Sequence, residues 1–201
     1  MTRERLFLYD TTLRDGQQTQ GVQFSVAEKV QIAQALDTLG VDYIEGGWPG
    51  ANPTDSDFFA ARPATRATFT AFGMTRRAGR SAANDEVLAA VLNAGTPAVC
   101  LVGKAHDFHV TTALGITLGE NIDNIAASVA HAAGQGREVL FDAEHFFDGW
   151  HASERINLRL YEHMIDGLPD LLGGYSDPAY LQAADAAAAD TFEVFGERTT
   201  P

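Results

Sequence analysis

The sequence predicts an α/β fold of TIM-barrel-type (β/α) units, with five of the eight units present as an incomplete barrel and a helical C-terminal tail. Strand-like apolar runs alternate with helix-like amphipathic stretches at a spacing of roughly 30 residues, which favours a parallel sheet with right-handed crossovers. Polar residues follow each predicted strand, as at the C-terminal face of a barrel. The first strand is not followed by GxGxxG, which argues against a dinucleotide-binding fold.

The predicted elements follow one another as strand, polar loop and helix. The first helix is the clearest, because Ser25 followed by Glu28 has the spacing of a capping box and Gly40 ends the apolar periodicity. The glycine- and proline-rich loop at 46–53 is typical of a long turn. The predicted strands are 5–9, 41–45, 67–72, 98–102 and 138–141. The predicted helices between them are 26–39, 55–61, 85–94 and 121–133.

The pattern changes after residue 150. Residues 151–201 contain no convincing strand, but amphipathic or alanine-rich stretches predict helices at 154–165 and 178–189. This segment carries nine Asp and Glu residues against three Arg residues. We therefore predict two domains, a partial (β/α) barrel at 1–150 and an acidic helical tail at 151–201. Three more units need about 90 residues, so the barrel is not expected to close from this chain alone.

Composition limits the classes of partner and compartment. The formal net charge of −13 argues against nucleic acid and anionic membranes as partners. Cys100 is the only cysteine, which excludes an intramolecular disulfide and a cysteine zinc site and is typical of a reducing cytoplasm. The sequence has neither a signal-peptide pattern nor an apolar run of about 18 residues. We therefore expect a soluble cytoplasmic protein.

The most informative segment is 8–18, Leu-Tyr-Asp-Thr-Thr-Leu-Arg-Asp-Gly-Gln-Gln, which lies between the first predicted strand and the first helix. Loops of this kind build active sites in α/β proteins. Arg14 and Asp15 are suited to holding a carbonyl or carboxylate substrate beside a hard divalent cation. The alternative is that they form a simple ion pair in a βα loop.

Residues 10–18 resemble the signature of the Claisen-condensing, metal-dependent barrel enzymes, which include the 2-isopropylmalate, homocitrate and citramalate synthases and the HMG-CoA lyases. Further segments are similar to the citramalate synthases within this family. They are Tyr-Ile-Glu-Gly-Gly-Trp-Pro-Gly-Ala-Asn-Pro at 43–53, Phe-Gly-Met-Thr-Arg-Arg at 72–77, Leu-Val-Gly-Lys at 101–104, Asp-Phe-His-Val at 107–110 and Phe-Asp-Ala-Glu-His-Phe-Phe-Asp-Gly at 141–149. The resemblance extends in unbroken order from residue 5 to about residue 150.

The resemblance implies a reaction and its partners. The family condenses acetyl-CoA with a 2-oxo acid, which is pyruvate in the citramalate synthases, and hydrolyses the thioester to release CoA. A base must form the enolate, and the ketone oxygen must be stabilised as it becomes an alkoxide. The expected partners are therefore small molecules, with acetyl-CoA as co-substrate and Mg²⁺ or Mn²⁺ as the metal. We also expect a homodimer.

The resemblance also implies roles for individual residues. Asp15 would be the metal ligand, and Arg14 would hold the oxo oxygen of the substrate. Glu45 and Glu144 match active-site carboxylates of the family, one binding or polarising the substrate and the other serving as acid or base. Each glutamate has a simpler alternative as a helix cap or a loop ion pair.

Weaker candidates lie on the same predicted rim. Lys104 and Asp142 sit at strand ends, and Gln18 is expected to line the site, so these three are predicted to bind substrate. His106 and His109 are spaced to bridge a metal if helical, but the family does not use these positions, and we expect them to be loop or packing residues.

One part of the family pattern is absent. Family members complete the metal site with a His-x-His pair on the seventh strand, and this sequence contains no His-x-His. Asp15 alone is a poor Mg²⁺ site, because such ions need further oxygen ligands. Three interpretations remain: a citramalate-synthase-type enzyme, a 2-isopropylmalate- or homocitrate-synthase-type enzyme, or a truncated or frame-shifted remnant without catalysis. In the last case the strands would form an open sandwich or pair with a second copy.

Overall fold

The computed structural model describes residues 5–152, with side chains to residue 149, and confirms the predicted partial barrel. Five parallel strands form one sheet in chain order. The strands are β1 (Tyr9–Asp10), β2 (Tyr43–Gly47), β3 (Thr68–Met74), β4 (Ala98–Lys104) and β5 (Glu138–Glu144). The predicted acidic tail lies outside the described residues except for its first two positions, and it stays a prediction.

Helices connect the strands, and one more follows β5. They are α1 (Val26–Leu39), α2 (Pro53–Ala61), α3 (Glu86–Asn93), α4 (Leu118–Gly134) and α5 (Phe146–Ala152), of which α5 was not predicted. α1 has the bounds that the sequence predicts, because its ends are marked by local chemistry. The Ser25 side chain accepts a hydrogen bond from the Glu28 amide, and the Glu28 carboxylate accepts one from the Ser25 amide at 2.8 Å.

The observed strands differ from the predicted ones in length and in where they end. β1 is shorter than predicted, and 6–8 form an exposed edge segment bound to β2 through the Leu8 backbone. The later strands β2 to β5 run two or three residues past their predicted ends. Lys104, Asp142 and Glu144 at the ends of β4 and β5 are typical of loops, but the ladder continues through them because their side chains lie on a face that helices do not cover.

The helix-covered face of the sheet holds the hydrophobic core. Strand residues such as Ile44, Ala71 and Leu101 are fully buried there against helix residues that include Leu88 and Val91. Close packing of α3 on β3 also requires a glycine at position 73, since a Cβ atom there would lie 2.3 Å from the Val91 Cγ2 atom. This core holds each strand with one defined face toward the helices.

The opposite face of the sheet is concave. The hydroxyl of Tyr43 in β2 donates a 2.6 Å hydrogen bond to Oε1 of Glu138 in β5, although β3 and β4 lie between them. A flat sheet with a strand spacing of about 4.8 Å would hold these two backbones about 14 Å apart. The sheet therefore curves as a barrel wall does, and the bond spans its hollow side.

A buried ion pair joins the first two units. Lys29 of α1 is fully buried and bonds to Asp55 of α2, which is 1% exposed. Asp55 also accepts hydrogen bonds from the Trp48 amide at 2.8 Å and from Gln17 Nε2 at 3.0 Å. The backbone passes this carboxylate at Gly47, which has φ +149° and where a Cβ atom would lie 2.4 Å from Asp55 Cγ. Asp55 thus fixes the loops that follow β1 and β2.

Within the described part of the chain, no helix is both long enough and apolar enough to cross a membrane.

Replacing Asp55 with Asn should destabilise the fold strongly. Lys29 would remain buried without a charge partner, and breaking a buried ion pair costs about 3–5 kcal/mol. Urea unfolding of the chain measures the loss. The matched control is Asp57→Asn, an exposed position on the same helix, which should change the free energy of unfolding by less than about 0.5 kcal/mol. Equal losses in the two variants would contradict the assignment.

The bond across the concave face should be visible in a titration. The hydrogen bond to Glu138, followed by partial burial, raises the pKa of Tyr43 to about 12. The folded state keeps this proton at pH values where the unfolded state has lost it, so stability should fall as pH rises from 10 toward 12. The tyrosinate absorbance of the wild type minus that of Tyr43→Phe measures the midpoint. A midpoint of about 10, the ordinary tyrosine value, would show that the bond is absent.

Candidate active site

The strand register brings four predicted site residues to the concave face. Glu45 pairs with Thr70, and Thr70 pairs with Ala98, so the even-numbered residues of β4 share the face of Glu45. Lys104 is one of these residues and lies directly opposite Glu144. Asp142 lies two residues before Glu144 and therefore shares its face. Glu45 lies inside β2 as predicted, and Lys104, Asp142 and Glu144 lie inside strands because β4 and β5 run past their predicted ends.

The loop after β1 holds Arg14 in place. The carbonyl of Thr11 accepts hydrogen bonds from the amides of Arg14 at 3.1 Å, Asp15 at 2.8 Å and Gly16 at 3.1 Å, which closes a tight turn. Leu13 is fully buried and anchors this turn to the core. This turn and the buried Leu13 hold the Arg14 side chain at the edge of the sheet.

The Arg14 guanidinium is held on three sides. Its Nε atom donates to Oε1 of Glu45, and its Nη1 atom donates to Oδ1 of Asp15 at 3.1 Å. Its plane lies over the Phe72 ring, with 3.8 Å between the guanidinium carbon and the ring centroid. Among the described residues, none is hydrogen-bonded to Nη2. The Nη2 edge, free of partners among the described residues, is suited to a carboxylate or carbonyl oxygen of a ligand.

Glu45 is the buried partner of this arginine. It is 1% exposed, and its second oxygen, Oε2, accepts a 2.5 Å hydrogen bond from the Tyr9 hydroxyl. Burial, followed by the nearby Cys100 and Glu45, raises the pKa of Tyr9. Burial and the charge of Glu45 raise the pKa of the Cys100 thiol to about 12. The Tyr9 hydroxyl and the Cys100 thiol therefore keep their protons at neutral pH. Glu45 accepts hydrogen bonds from the Tyr9 hydroxyl and from Arg14.

Sequence reasoning missed Tyr9 and Phe72. Both belong to apolar strand runs, and such residues usually indicate a core. Tyr9 does carry a usable signal, since a tyrosine hydroxyl inside a buried strand needs a polar partner. Phe72 carries no such signal, because only the curvature of the sheet places its ring beneath Arg14.

Charges from β4, β5 and the loop after β1 act on Asp142. Burial is the largest influence and raises the pKa of this carboxyl, while Arg14 and Lys104 lower it, and Glu144 and Asp15 raise it. Lys104 itself donates to Oε2 of Glu144 through its ammonium group. The register of β4 and β5 places Lys104, Asp142 and Glu144 together on the concave face, and the charge of Arg14, from the loop after β1, acts on the same carboxyl.

Gln18 lies apart from the ion pairs. It is exposed and lines a cleft of about 320 Å³ between the loops after β1 and β2. The other lining residues of this cleft include Arg14, Gln17, Trp48 and Asn52. Arg14 lines this cleft and also binds Glu45 and Asp15. Gln17, which lines the same cleft, donates a hydrogen bond to Asp55.

Three histidines gather at the rim beside Glu144. The ring centroids of His106 and His109 are 5.2 Å apart, and those of His109 and His145 are 4.2 Å apart. Desolvation and the neighbouring imidazoles lower the pKa of His109. His145 follows β5 directly with a backbone φ of +61°, and its ring lies beside His109.

The predicted metal site is not complete in the described part of the chain. Asp15 is 62% exposed, and its recorded partner is Arg14. Within the described residues, no group of three or more His, Cys, Asp or Glu side chains is arranged to hold a metal ion. One exposed carboxylate bound to an arginine does not fit Mg²⁺ or Mn²⁺, which need more oxygen ligands.

Residues 5–158 match the family model described as HMGL-like. The chain is 51% identical over 194 residues to an (R)-citramalate synthase of Streptomyces coelicolor, covering 92% of this chain and 36% of that protein. It is 32% identical over 181 residues to a 2-isopropylmalate synthase of Solidesulfovibrio magneticus, covering 87% of this chain and 34% of that protein. The chain therefore spans about a third of the length of these curated relatives.

Among solved structures, an HMG-CoA lyase of Bacillus subtilis is similar with a TM-score of 0.65 at 16% sequence identity. The similarity covers 82% of this chain and 56% of that chain. At this identity the likeness shows the fold alone, and it supports the assignment of the curved sheet to a (β/α) barrel.

The raised pKa of Asp142 should be measurable by carbon NMR of labelled aspartate carboxyls, with Asp142→Asn identifying the signal. We expect a midpoint above the ordinary value of about 3.9, and a further rise in Arg14→Gln because Arg14 opposes the effect of burial. Since the folded state holds the proton more tightly, Asp142 should lower stability as pH rises through this window.

The control for this titration is Arg66→Gln. Arg66 is exposed and pairs with Asp37 away from the candidate site, so the midpoint of Asp142 should not move in that variant. A wild-type midpoint at or below the ordinary aspartate value would contradict the burial of Asp142.

Proposed function

Because the chain belongs to the HMGL-like family, we propose that it carries the N-terminal part of a Claisen-condensing acyltransferase site. The proposed reaction joins acetyl-CoA to pyruvate and gives citramalate and free CoA. The higher identity to an (R)-citramalate synthase, 51% against 32% for a 2-isopropylmalate synthase, supports pyruvate as the 2-oxo acid. The proposal concerns a whole enzyme of the relatives' length. Those relatives are about three times as long as this chain.

The observation that carries this proposal is the geometry of Arg14. Its guanidinium is fixed by Glu45, Asp15 and Phe72, and its Nη2 edge has no partner among the described residues. A 2-oxo acid presents a carboxylate and a ketone oxygen side by side, and a planar guanidinium donor matches such paired oxygens. Arg14 would bind this group and stabilise negative charge as the ketone oxygen becomes an alkoxide.

The two glutamates are suited to different tasks. Both oxygens of Glu45 already accept hydrogen bonds, from Arg14 and from Tyr9, so Glu45 would orient the arginine. Glu144 is 36% exposed and bonds to Lys104 through one oxygen. We assign acid and base work to Glu144, because its carboxylate reaches the open side of the concave face.

The proposed reaction balances with these groups. A base removes a proton from the methyl group of acetyl-CoA, and the resulting carbon attacks the ketone carbon of pyruvate. The ketone oxygen takes up a proton, and water hydrolyses the thioester to release CoA. Lys104 and Asp142 are proposed to bind the substrate beside Glu144, and Gln18 is proposed to bind it from the cleft.

Asp15 is proposed as one ligand of a divalent metal, Mg²⁺ or Mn²⁺. The described residues do not supply the remaining ligands, so no step of the reaction is assigned to the metal here. A homodimer is also proposed, from the resemblance to the family alone.

A second candidate is a 2-isopropylmalate- or homocitrate-synthase-type reaction. It shares acetyl-CoA and the Arg14–Asp15 pair and differs in the 2-oxo acid. The observation in its favour is the 32% identity to a 2-isopropylmalate synthase over 87% of the chain. Pyruvate, 2-oxoisovalerate and 2-oxoglutarate assayed side by side distinguish the candidates.

The test is release of free thiol from acetyl-CoA by the purified chain with Mg²⁺ or Mn²⁺. We expect release that depends on pyruvate, and a fall in kcat/KM of about 100-fold or more in Arg14→Lys, which loses the planar donor. Arg66→Lys, at an exposed position away from the site, should match the wild type. Background release with all three oxo acids would refute the proposal for this chain and favour the non-catalytic alternative.

A further inference from the structure

We propose that Tyr9 is a positioning residue of this site, because its hydroxyl holds the Glu45 carboxylate that in turn orients Arg14. The inference rests on the proposed function for its consequence, which is binding of a 2-oxo acid. Its structural content, a relay from Tyr9 through Glu45 to Arg14, stands on the contacts alone.

The relay consists of two hydrogen bonds to one buried carboxylate. Tyr9 donates to Oε2 of Glu45 at 2.5 Å, and the Nε atom of Arg14 donates to Oε1. Glu45 is 1% exposed, so water does not replace either donor. Because Tyr9 and Arg14 bind different oxygens of Glu45, rotation of this carboxylate is restricted. The orientation of the carboxylate then sets the position of the Arg14 Nε atom.

Removing the Tyr9 hydroxyl would leave Oε2 with a weaker donor. The Cys100 thiol lies against both Tyr9 and Glu45, and a thiol is a poor donor. A buried oxygen that has lost its strong donor is costly, so the carboxylate is expected to turn toward the thiol. Oε1 would then move relative to Nε, and the free Nη2 edge of Arg14 would lose its fixed direction.

The ring of Tyr9 alone does not explain the presence of a tyrosine. The ring packs against the buried cluster of Phe72, Cys100 and Val102, a task that phenylalanine would perform equally well. The hydroxyl needs another explanation. It contacts the Glu45 carboxylate that also binds Arg14.

The same face of the sheet offers a matched comparison. Tyr43 pairs with Tyr9 in the ladder, and the two ring centroids are 5.9 Å apart. Tyr43 also donates its hydroxyl to a carboxylate, but that carboxylate belongs to Glu138, which has no recorded bond to Arg14. Tyr43→Phe therefore removes the same atom and the same kind of bond without touching the relay.

The first experiment measures pyruvate binding by calorimetry. We expect Tyr9→Phe to raise the Kd for pyruvate about tenfold, the effect of losing about one charge-assisted hydrogen bond. Tyr43→Phe should leave the Kd unchanged. In a Glu45→Ala background, the additional effect of Tyr9→Phe should disappear, because the carboxylate that joins Tyr9 to Arg14 is absent. A Kd that is unchanged in Tyr9→Phe, or equally raised in both phenylalanine variants, would overturn the inference.

The second experiment needs no substrate. The side-chain Nε–H signal of Arg14 in nitrogen NMR, assigned by its loss in Arg14→Lys, reports the bond to Glu45. It should shift and exchange faster with water in Tyr9→Phe and stay in place in Tyr43→Phe. A signal that Tyr9→Phe leaves unmoved would refute the relay. Absence of pyruvate binding in the wild type would instead refute the proposed function, and the NMR signal would still decide whether Tyr9 orients Arg14.

Discussion

The two-residue period of the parallel ladder is the constraint on which the site depends. Each strand turns alternate side chains toward the helices, where apolar residues such as Ile44 and Leu101 are fully buried. The same alternation turns Glu45, Lys104 and Glu144 to the concave face. A shift of one residue in any strand would exchange the two sets and place charges in the core. Hydrophobic burial on one face thus fixes the chemistry of the other.

In the described part of the chain, two ion pairs with buried carboxylates hold the loops that form the site. Lys29–Asp55 secures the turns after β1 and β2, and Arg14–Glu45 ties the first turn to the second strand. Each carboxylate also accepts a hydrogen bond from a second group. Asp55 accepts one from the Trp48 amide, and Glu45 accepts one from the Tyr9 hydroxyl. A buried charge is tolerated only when its hydrogen bonds are satisfied, so each pair also restricts the groups around it.

Predictions from sequence succeeded where local chemistry decides the structure. The bounds of α1 were predicted correctly because Ser25, Glu28 and Gly40 mark its ends through contacts between residues close in sequence. The end of β5 was predicted three residues too early, because polar side chains such as Asp142 and Glu144 resemble a loop when their neighbours across the sheet are unknown. Gln18, predicted from the same motif as Arg14, lies in a cleft beside the ion pairs, since its side chain follows the turn outward.

The sequence by itself determined the strand–helix order, the parallel sheet, the family and the identity of the charged residues at the rim, because each of these is written in local periodicity or in contiguous motifs. Only the tertiary structure decided which groups hold Arg14. Glu45, Phe72 and Tyr9 come from different strands, and their meeting depends on register and on the curvature that also joins Tyr43 to Glu138. Register and curvature arise from packing against the helices, and no single segment of the chain encodes them.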